Sequence, residues 1–209
     1  MRARIVVVIS VLLIPVTLAA DSPIEPPRGF SSLLNGRDLI NWKTDGDIAE
    51  HWTVADGVLH YDGKGEREGG TDDALNLVTA KDYRDFELWI DWKIAPSSDS
   101  GIYLRGCPQV QIWDIQARTE GSGGLYNNKI NPSKPLQPAD KPAGQWNTFK
   151  IRLVGDEVTV HLNDVLVVDH VTMENYFDRS KPLPAQGPIG LQHHRSEIRF
   201  RNIFVKELP

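Results

Sequence analysis

The chain has 209 residues, with 23 Lys and Arg against 28 Asp and Glu, a formal net charge of −5 at pH 7. That length suits one large β domain, and the acidic balance argues against nucleic acid and anionic membrane surfaces as partners. Cys107 is the only cysteine, so no internal disulfide can form and stability has to come from a buried core.

In chain order, Met1-Arg2-Ala3-Arg4, the apolar run Ile5–Ile14 and the small residues of Thr17-Leu18-Ala19-Ala20 follow one another. They predict a secretory signal peptide over residues 1–20 and a chain that is exported, periplasmic or extracellular, and soluble after cleavage. An uncleaved anchor is the competing reading, but the run is short for a membrane span. Cleavage takes away Arg2 and Arg4 and no acid, so −5 becomes −7. No segment of the mature chain is apolar enough to span a bilayer. Residues 21–28 are rich in proline and read as a linker, leaving residues 29–208 as a single domain.

Asn35-Gly36-Arg37-Asp38 is a turn, and Ala55-Asp56-Gly57 between Trp52-Thr53-Val54 and Val58–Tyr61 is a tight hairpin turn. Residues 62–73 are glycine-rich and charged and read as a mobile loop. Short strands are predicted over Leu75–Thr79 and Asp85–Ile94, the second with Phe86, Leu88, Ile90 and Trp92 on one face. Ala117–Gly144 has no apolar periodicity, as binding loops often do not. Trp146–Val154, Glu157–Leu162, Val165–His170, Gly190–His194 and Glu197–Lys206 complete the strands, with Asn163-Asp164 as a two-residue hairpin turn. Met173–Lys181 has room for one helical turn. About twelve short strands without sustained helical periodicity predict an all-β antiparallel sandwich or jelly roll.

The chemistry concentrates in Ser98–Asp114, read as strands Gly101–Arg105 and Gln109–Asp114 joined at Gly106-Cys107-Pro108. Alternation sends Ile102, Leu104, Val110 and Ile112 to a core and displays Tyr103, Arg105, Gln109, Gln111 and Trp113 on the other face. Planar rings stack on sugar C–H faces, and amides and guanidinium bond hydroxyls, so this face suits a polyhydroxylated ligand.

Gly29-Phe30, Leu34-Asn35-Gly36-Arg37-Asp38-Leu39, Tyr83-Arg84-Asp85-Phe86-Glu87-Leu88, Ser100–Arg105, Gln111-Ile112-Trp113-Asp114, Lys141–Asn147, Gly190-Leu191-Gln192 and Phe200-Arg201-Asn202-Ile203 together resemble one bacterial family. It is the family of 3-keto-disaccharide hydrolases, with 3-keto-glucoside 1,2-lyase and 3-keto-2-hydroxy-glucal hydratase activities. The resemblance runs from about Gly29 to Leu208. It implies a concanavalin-A-like sandwich with a carbohydrate site on one sheet, and cleavage of 3-keto-glycosides by elimination at C1–C2, hydration of the 2-hydroxy-glucal, or both. A noncatalytic, lectin-like carbohydrate-binding module is the alternative. Many members of the family have glutamate where this chain has Gln109, and that departure favours the alternative.

Elimination from a 3-keto sugar needs a base for the C2 proton and a cation or donors at the enolate oxygen. The candidates are Arg105 for the oxygen, His194 as base, Asp114 as base, metal ligand or turn cap, and Asp91 as reserve base. A salt bridge with Asp91 or Glu87 is the competing account of Arg105, and a solvated strand end that of His194. Gln109, Gln111, Tyr103, Trp113, Trp89 and Gln192 are the candidates for substrate binding. Parity sends His193 toward the core and His194 to the side of Gln192. Trp42, Trp52, Trp92 and Trp146 read as core. No cofactor motif is evident; dispersed carboxylates leave a divalent metal open, and the oligomeric state is not legible.

Overall fold

Alternating apolar residues leave a chain of this composition one economical arrangement, two sheets that each bury one face. The structure, a computed structural model, describes residues 24–65 and 76–209. The leader expected over 1–20 and most of the expected loop over 62–73 lie outside the described residues. Among those described, twelve strands form: β1 Ser31–Ser32, β2 Trp52–Ala55, β3 Val58–Tyr61, β4 Leu77–Tyr83, β5 Phe86–Ile94, β6 Asp99–Leu104, β7 Cys107–Trp113, β8 Asn147–Val154, β9 Glu157–Leu162, β10 Val165–Thr172, β11 Gly187–Leu191 and β12 Ile198–Glu207. The helix α1, Ile48–His51, is a single turn. No helix is expected from the pattern of 173–181 beyond one turn, and none forms there.

The strands make a large sheet in the order β10-β9-β8-β5-β12-β3-β2, with β1 also on β12, and a small sheet in the order β4-β11-β6-β7, all pairs antiparallel. Phe86, Leu88, Ile90 and Trp92 of β5 pack in one core with Phe149 and Ile151 of β8, Ile102 and Leu104 of β6, Val110 and Ile112 of β7, and Ile189 and Leu191 of β11. This is the jelly-roll sandwich that the strand pattern predicts. No described helix is long and apolar enough to cross a membrane.

The tight turns follow local chemistry. Asp56-Gly57 and Asn163-Asp164 take positive φ at both central positions, 52° and 76°, and 51° and 66°, the geometry that matches the right-handed twist of a hairpin. Arg105-Gly106 does the same, at 55° and 69°. The turn between β6 and β7 is therefore these two residues, and β7 begins at Cys107 rather than at Gln109.

That turn corrects the expectation for Arg105. Alternation ends at Leu104, where the β6–β7 register also shifts, so Arg105 does not share a face with Tyr103. Its guanidinium is buried at one end of the sandwich, donating to the carbonyls of Arg84, Gly155 (2.6 Å) and Pro184 (3.3 Å) and to Asp85 Oδ1 (2.6 Å). Burial pulls its pKa down, while Asp85 works against that pull. Asp85 also accepts from Gly155 N. The group thus ties the β4–β5, β8–β9 and β6–β7 turns together.

The outer face of the large sheet is clad in cations. Lys150 lies over the Trp89 ring at 4.6 Å, and Lys93 and Arg201 lie over Trp146 at 4.6 and 4.2 Å. Trp146, expected in the core, sits on this face instead, half-buried just before β8. Trp42, Trp52 and Trp92 are buried. The 117–144 segment has no strand but is pinned by Glu174, whose carboxylate accepts from the backbone N–H groups of Lys129, Ile130 and Asn131 and pairs with Arg179. Burial opposes ionisation there, yet the backbone donors overcome it and hold the pKa at about 2, below the ordinary 4.5.

Two outcomes follow. Arg105→Ala leaves the Asp85 charge and several carbonyls without their partner, so urea unfolding should show a loss of about 3–5 kcal/mol. Glu174 stabilises the native chain fully above its unfolded pKa near 4.5, and that contribution is lost as pH falls toward about 2. The difference in unfolding midpoint between the parent and Glu174→Gln should therefore be largest near neutrality and shrink across that acidic window.

Candidate functional site

The outer face of the small sheet carries a row of hydrogen-bonded polar side chains. On β7, Gln109, Gln111 and Trp113 alternate outward; β6 sets Tyr103, Gly101 and Asp99 directly opposite them. Gly190 of β11 lies opposite Tyr103, and the following Gln192 donates its backbone N–H to Gly101 O. Gln109 Nε2 donates to Gln111 Oε1 (3.0 Å) and Gln192 Oε1 (3.2 Å). Gln192 Nε2 donates to the Tyr103 hydroxyl (3.1 Å). Gln111 Nε2 donates to Asp99 Oδ1 (2.7 Å) and to the carbonyls of Ser100 and Ile112, and Trp113 Nε1 donates to Asp99 Oδ2 (2.9 Å). The chain of contacts thus runs Tyr103, Gln192, Gln109, Gln111, Asp99, Trp113.

Glycine makes the row possible. A Cβ on Gly101 would lie 2.4 Å from Gln109 Cγ, and one on Gly190 would lie 3.3 Å from both Tyr103 Cβ and Val78 Cγ1. The missing side chain at 101 lets Gln109 lean across β6.

At the β7 end the row meets an aromatic and a cation. Tyr126, more than half exposed, packs edge-on to Trp113 with ring centroids 5.3 Å apart. Exposed Arg118 places its guanidinium carbon 5.5 Å from the Trp113 ring centre. Both come from the 117–144 segment, which runs along β7: Gln111 N donates to Gly124 O, Gly123 N to Gln111 O, and Trp113 N to Ser122 Oγ. Asp140 braces it by accepting from Ser122 N; burial pushes the Asp140 carboxyl pKa up, against those hydrogen bonds.

Of the residues expected at the site, the structure gathers Tyr103, Gln109, Gln111, Trp113 and Gln192 on this face. It does not gather the others. Arg105 lies at the end of the sandwich, as described. Asp91 and Trp89 are on the outer face of the other sheet, where Asp91 accepts from Thr148 Oγ1, Arg201 and Asn202. Asp114 caps turns, accepting from Ser97 N and Gln116 N. His194 is exposed beyond the end of β11, and among the described residues no hydrogen bond ties its side chain to the row. His193 is buried edge-on against Tyr61, as parity predicts.

Asp99, Arg118 and Tyr126 were not among the expected site residues. Asp99 has the parity of Gly101 and Tyr103, so starting the strand two residues earlier finds it. Arg118 and Tyr126 lie in irregular backbone, which has no period to read. Asp99 is the one carboxylate in the hydrogen-bonded row, and among the described residues no three or more His, Cys, Asp and Glu group to hold a metal.

A family model described as the 3-keto-alpha-glucoside-1,2-lyase-like domain matches residues 29–206. The chain belongs to that family. A 3-keto-disaccharide hydrolase from Bacteroides thetaiotaomicron is 25% identical to this member over 228 residues, covering 86% of this chain and 79% of the relative. A crystal structure from Parabacteroides distasonis, of a protein provisionally named a glycosyl hydrolase, is 26% identical with a TM-score of 0.66, covering 86% of this chain and 99% of the other. The Bacillus licheniformis beta-glucanase matches in fold, with 10% identity, a TM-score of 0.50, and 86% and 97% of the two chains covered. This lyase-like domain thus shares the concanavalin-A-like jelly roll of glucanases.

Gly101→Ala should push Gln109 off Gln111 and Gln192 and cost about 1–3 kcal/mol of stability through overpacking. Thermal unfolding checks the cost, and the side-chain amide resonances of the three glutamines should shift together in an NMR spectrum.

Proposed function

We propose that this protein is a glycoside-cleaving enzyme that acts on 3-keto-glycosides by elimination, with hydration completing a net hydrolysis. The carrying observation is a lone carboxylate, Asp99, held by two donors in an amide-lined row beside Trp113, Tyr126 and Arg118. Membership of the lyase-like family supports the reaction class. Export as a soluble protein after removal of residues 1–20, with residues 29–208 as the working domain, is part of the same reading.

Each Asp99 oxygen accepts one protein hydrogen bond and has a further lone pair for substrate. In the proposed step Asp99 takes the C2 proton of the 3-keto sugar. The C–H electrons form the enolate, whose oxygen is met by Arg118, a permanent cation. The enolate collapses, C3=O re-forms, C1=C2 forms, and the C1–O bond breaks with its electrons on the leaving oxygen, which water protonates. Addition of water across C1=C2 returns a 3-keto sugar. Trp113 and Tyr126 stack on the ring, Gln109, Gln192 and Tyr103 bond its hydroxyls, and Gln111 holds Asp99 in place. A double-displacement glycosidase would need a second carboxylate close to the first, and among the described residues the row offers Asp99 alone.

The test is incubation with a chromogenic 3-keto-glucoside in deuterated water. Release of the aglycone with deuterium at C2 of the sugar product is expected, and the unoxidised glucoside should stay intact. Asp99→Asn should lower turnover by about a hundredfold or more, and Arg118→Ala by roughly tenfold to a hundredfold. Binding of the 3-keto-glucoside without release would establish the lectin-like alternative instead.

A further inference from the structure

A cavity lies away from the amide row, in the crease where β4 of the small sheet approaches β1 and β12 of the large one. Its volume is about 470 Å3, and its lining includes Ser31, Ile40, Asn41, Lys81, Tyr83 and Glu207. β4 and β7 are opposite edges of the small sheet, so this cavity and Trp113 lie at opposite edges of that sheet. The volume falls within the range of small-molecule sites, roughly 300–1,000 Å3.

Tyr83 is the informative residue. It is 95% buried by its 5% exposure, packed edge-on against Phe86 at 6.0 Å. Its hydroxyl is not among the sealed polar atoms that lack a partner, and the residue lines the cavity. The ring is thus held in the core while the residue's polar end faces the cavity, an apolar body with a polar tip. Burial raises its pKa, so the hydroxyl keeps its proton and can donate.

The remaining lining chooses the ligand. Lys81 pairs with Glu207, and its ammonium sits 5.2 Å from the centre of the Tyr83 ring. The two charges cancel, which disfavours a charged ligand. What is left is a set of donors and acceptors around a small apolar wall: the Tyr83 hydroxyl, Ser31 Oγ, the Asn41 amide, and the Lys81–Glu207 pair, with three-quarters-exposed Ile40 beside them. A polyol ring, with hydroxyls at its rim and C–H bonds on its faces, matches that alternation. We propose that this crease is a second binding site, for a neutral saccharide unit, independent of the chemistry at the amide row.

The experiment titrates the full chain, labelled with nitrogen-15, with maltose, cellobiose and sucrose as separate probes, and follows backbone amide shifts. Expected are saturable shifts at Ser31, Ala80, Lys81 and Tyr83 with at least one sugar. Tyr83→Phe keeps the ring and should weaken that binding by about threefold to tenfold, while Gln111→Ala should leave it unchanged. No saturable shift around the crease with any of the three sugars, or shifts that Tyr83→Phe does not weaken, would overturn the site. Shifts confined to Gln109, Gln111 and Trp113 would also overturn it while leaving the proposed function standing. Shifts at the crease with none at the amide row would support this site and count against the row.

Discussion

The two sheets each bury one face, and that constraint governs the rest of the molecule. Ile102, Leu104, Val110 and Ile112 meet Phe86, Leu88, Ile90 and Phe149 in one core. With period-two alternation, committing these residues inward commits Tyr103, Gln109, Gln111 and Trp113 outward. A one-residue slip of either central strand would bury amides and expose the core, so register and site are specified by the same hydrophobic term.

The two outer faces dispose of their polar and aromatic residues differently. On the large sheet, Lys93, Lys150 and Arg201 lay cations over Trp89 and Trp146, and Asp91 is consumed by Thr148, Arg201 and Asn202. Long side chains there cover apolar surface and keep their charged heads wet. On the small sheet the polar groups bond one another in a line that passes through a carboxylate and ends at Trp113. Such a network positions its members strongly, because a buried amide or carboxylate that loses a partner pays the full cost of desolvation. Gln111 illustrates this: it is almost wholly buried, and its amide nitrogen is committed to Asp99 and to the carbonyls of Ser100 and Ile112. With that nitrogen fixed as a donor, an acceptor is required at Asp99.

The cations divide in the same way. Arg105 is enclosed and serves three turns, whereas Arg118 stands exposed on the Trp113 ring. A guanidinium already committed to backbone carbonyls and to Asp85 has few donors left for a substrate. Arg118 has no such commitment among the described residues, and its stacking on an indole presets its orientation at little entropic cost.

The amino-acid sequence by itself determined the strands, their inward faces, the Asp56-Gly57 and Asn163-Asp164 turns, and the outward row of Tyr103, Gln109, Gln111 and Trp113, because each depends on local alternation or on backbone that tolerates positive φ. Family motifs spread from Gly29 to Ile203 carried the architecture. Only the tertiary structure decided which carboxylate and which cation join the row. Arg105 left it because two consecutive positive-φ residues end the alternation one position before its parity would apply. Asp114 and Asp91 left it because nearer backbone and side-chain donors claim them. Asp99 entered it through register, by pairing opposite Trp113, and Arg118 and Tyr126 entered from a segment without periodicity, whose path is set by hydrogen bonds to β7, by Asp140 within the segment and by the Glu174 carboxylate far along the chain. Alternation is a property of neighbours in the chain, whereas the composition of a site depends on which distant groups compete for each donor and acceptor.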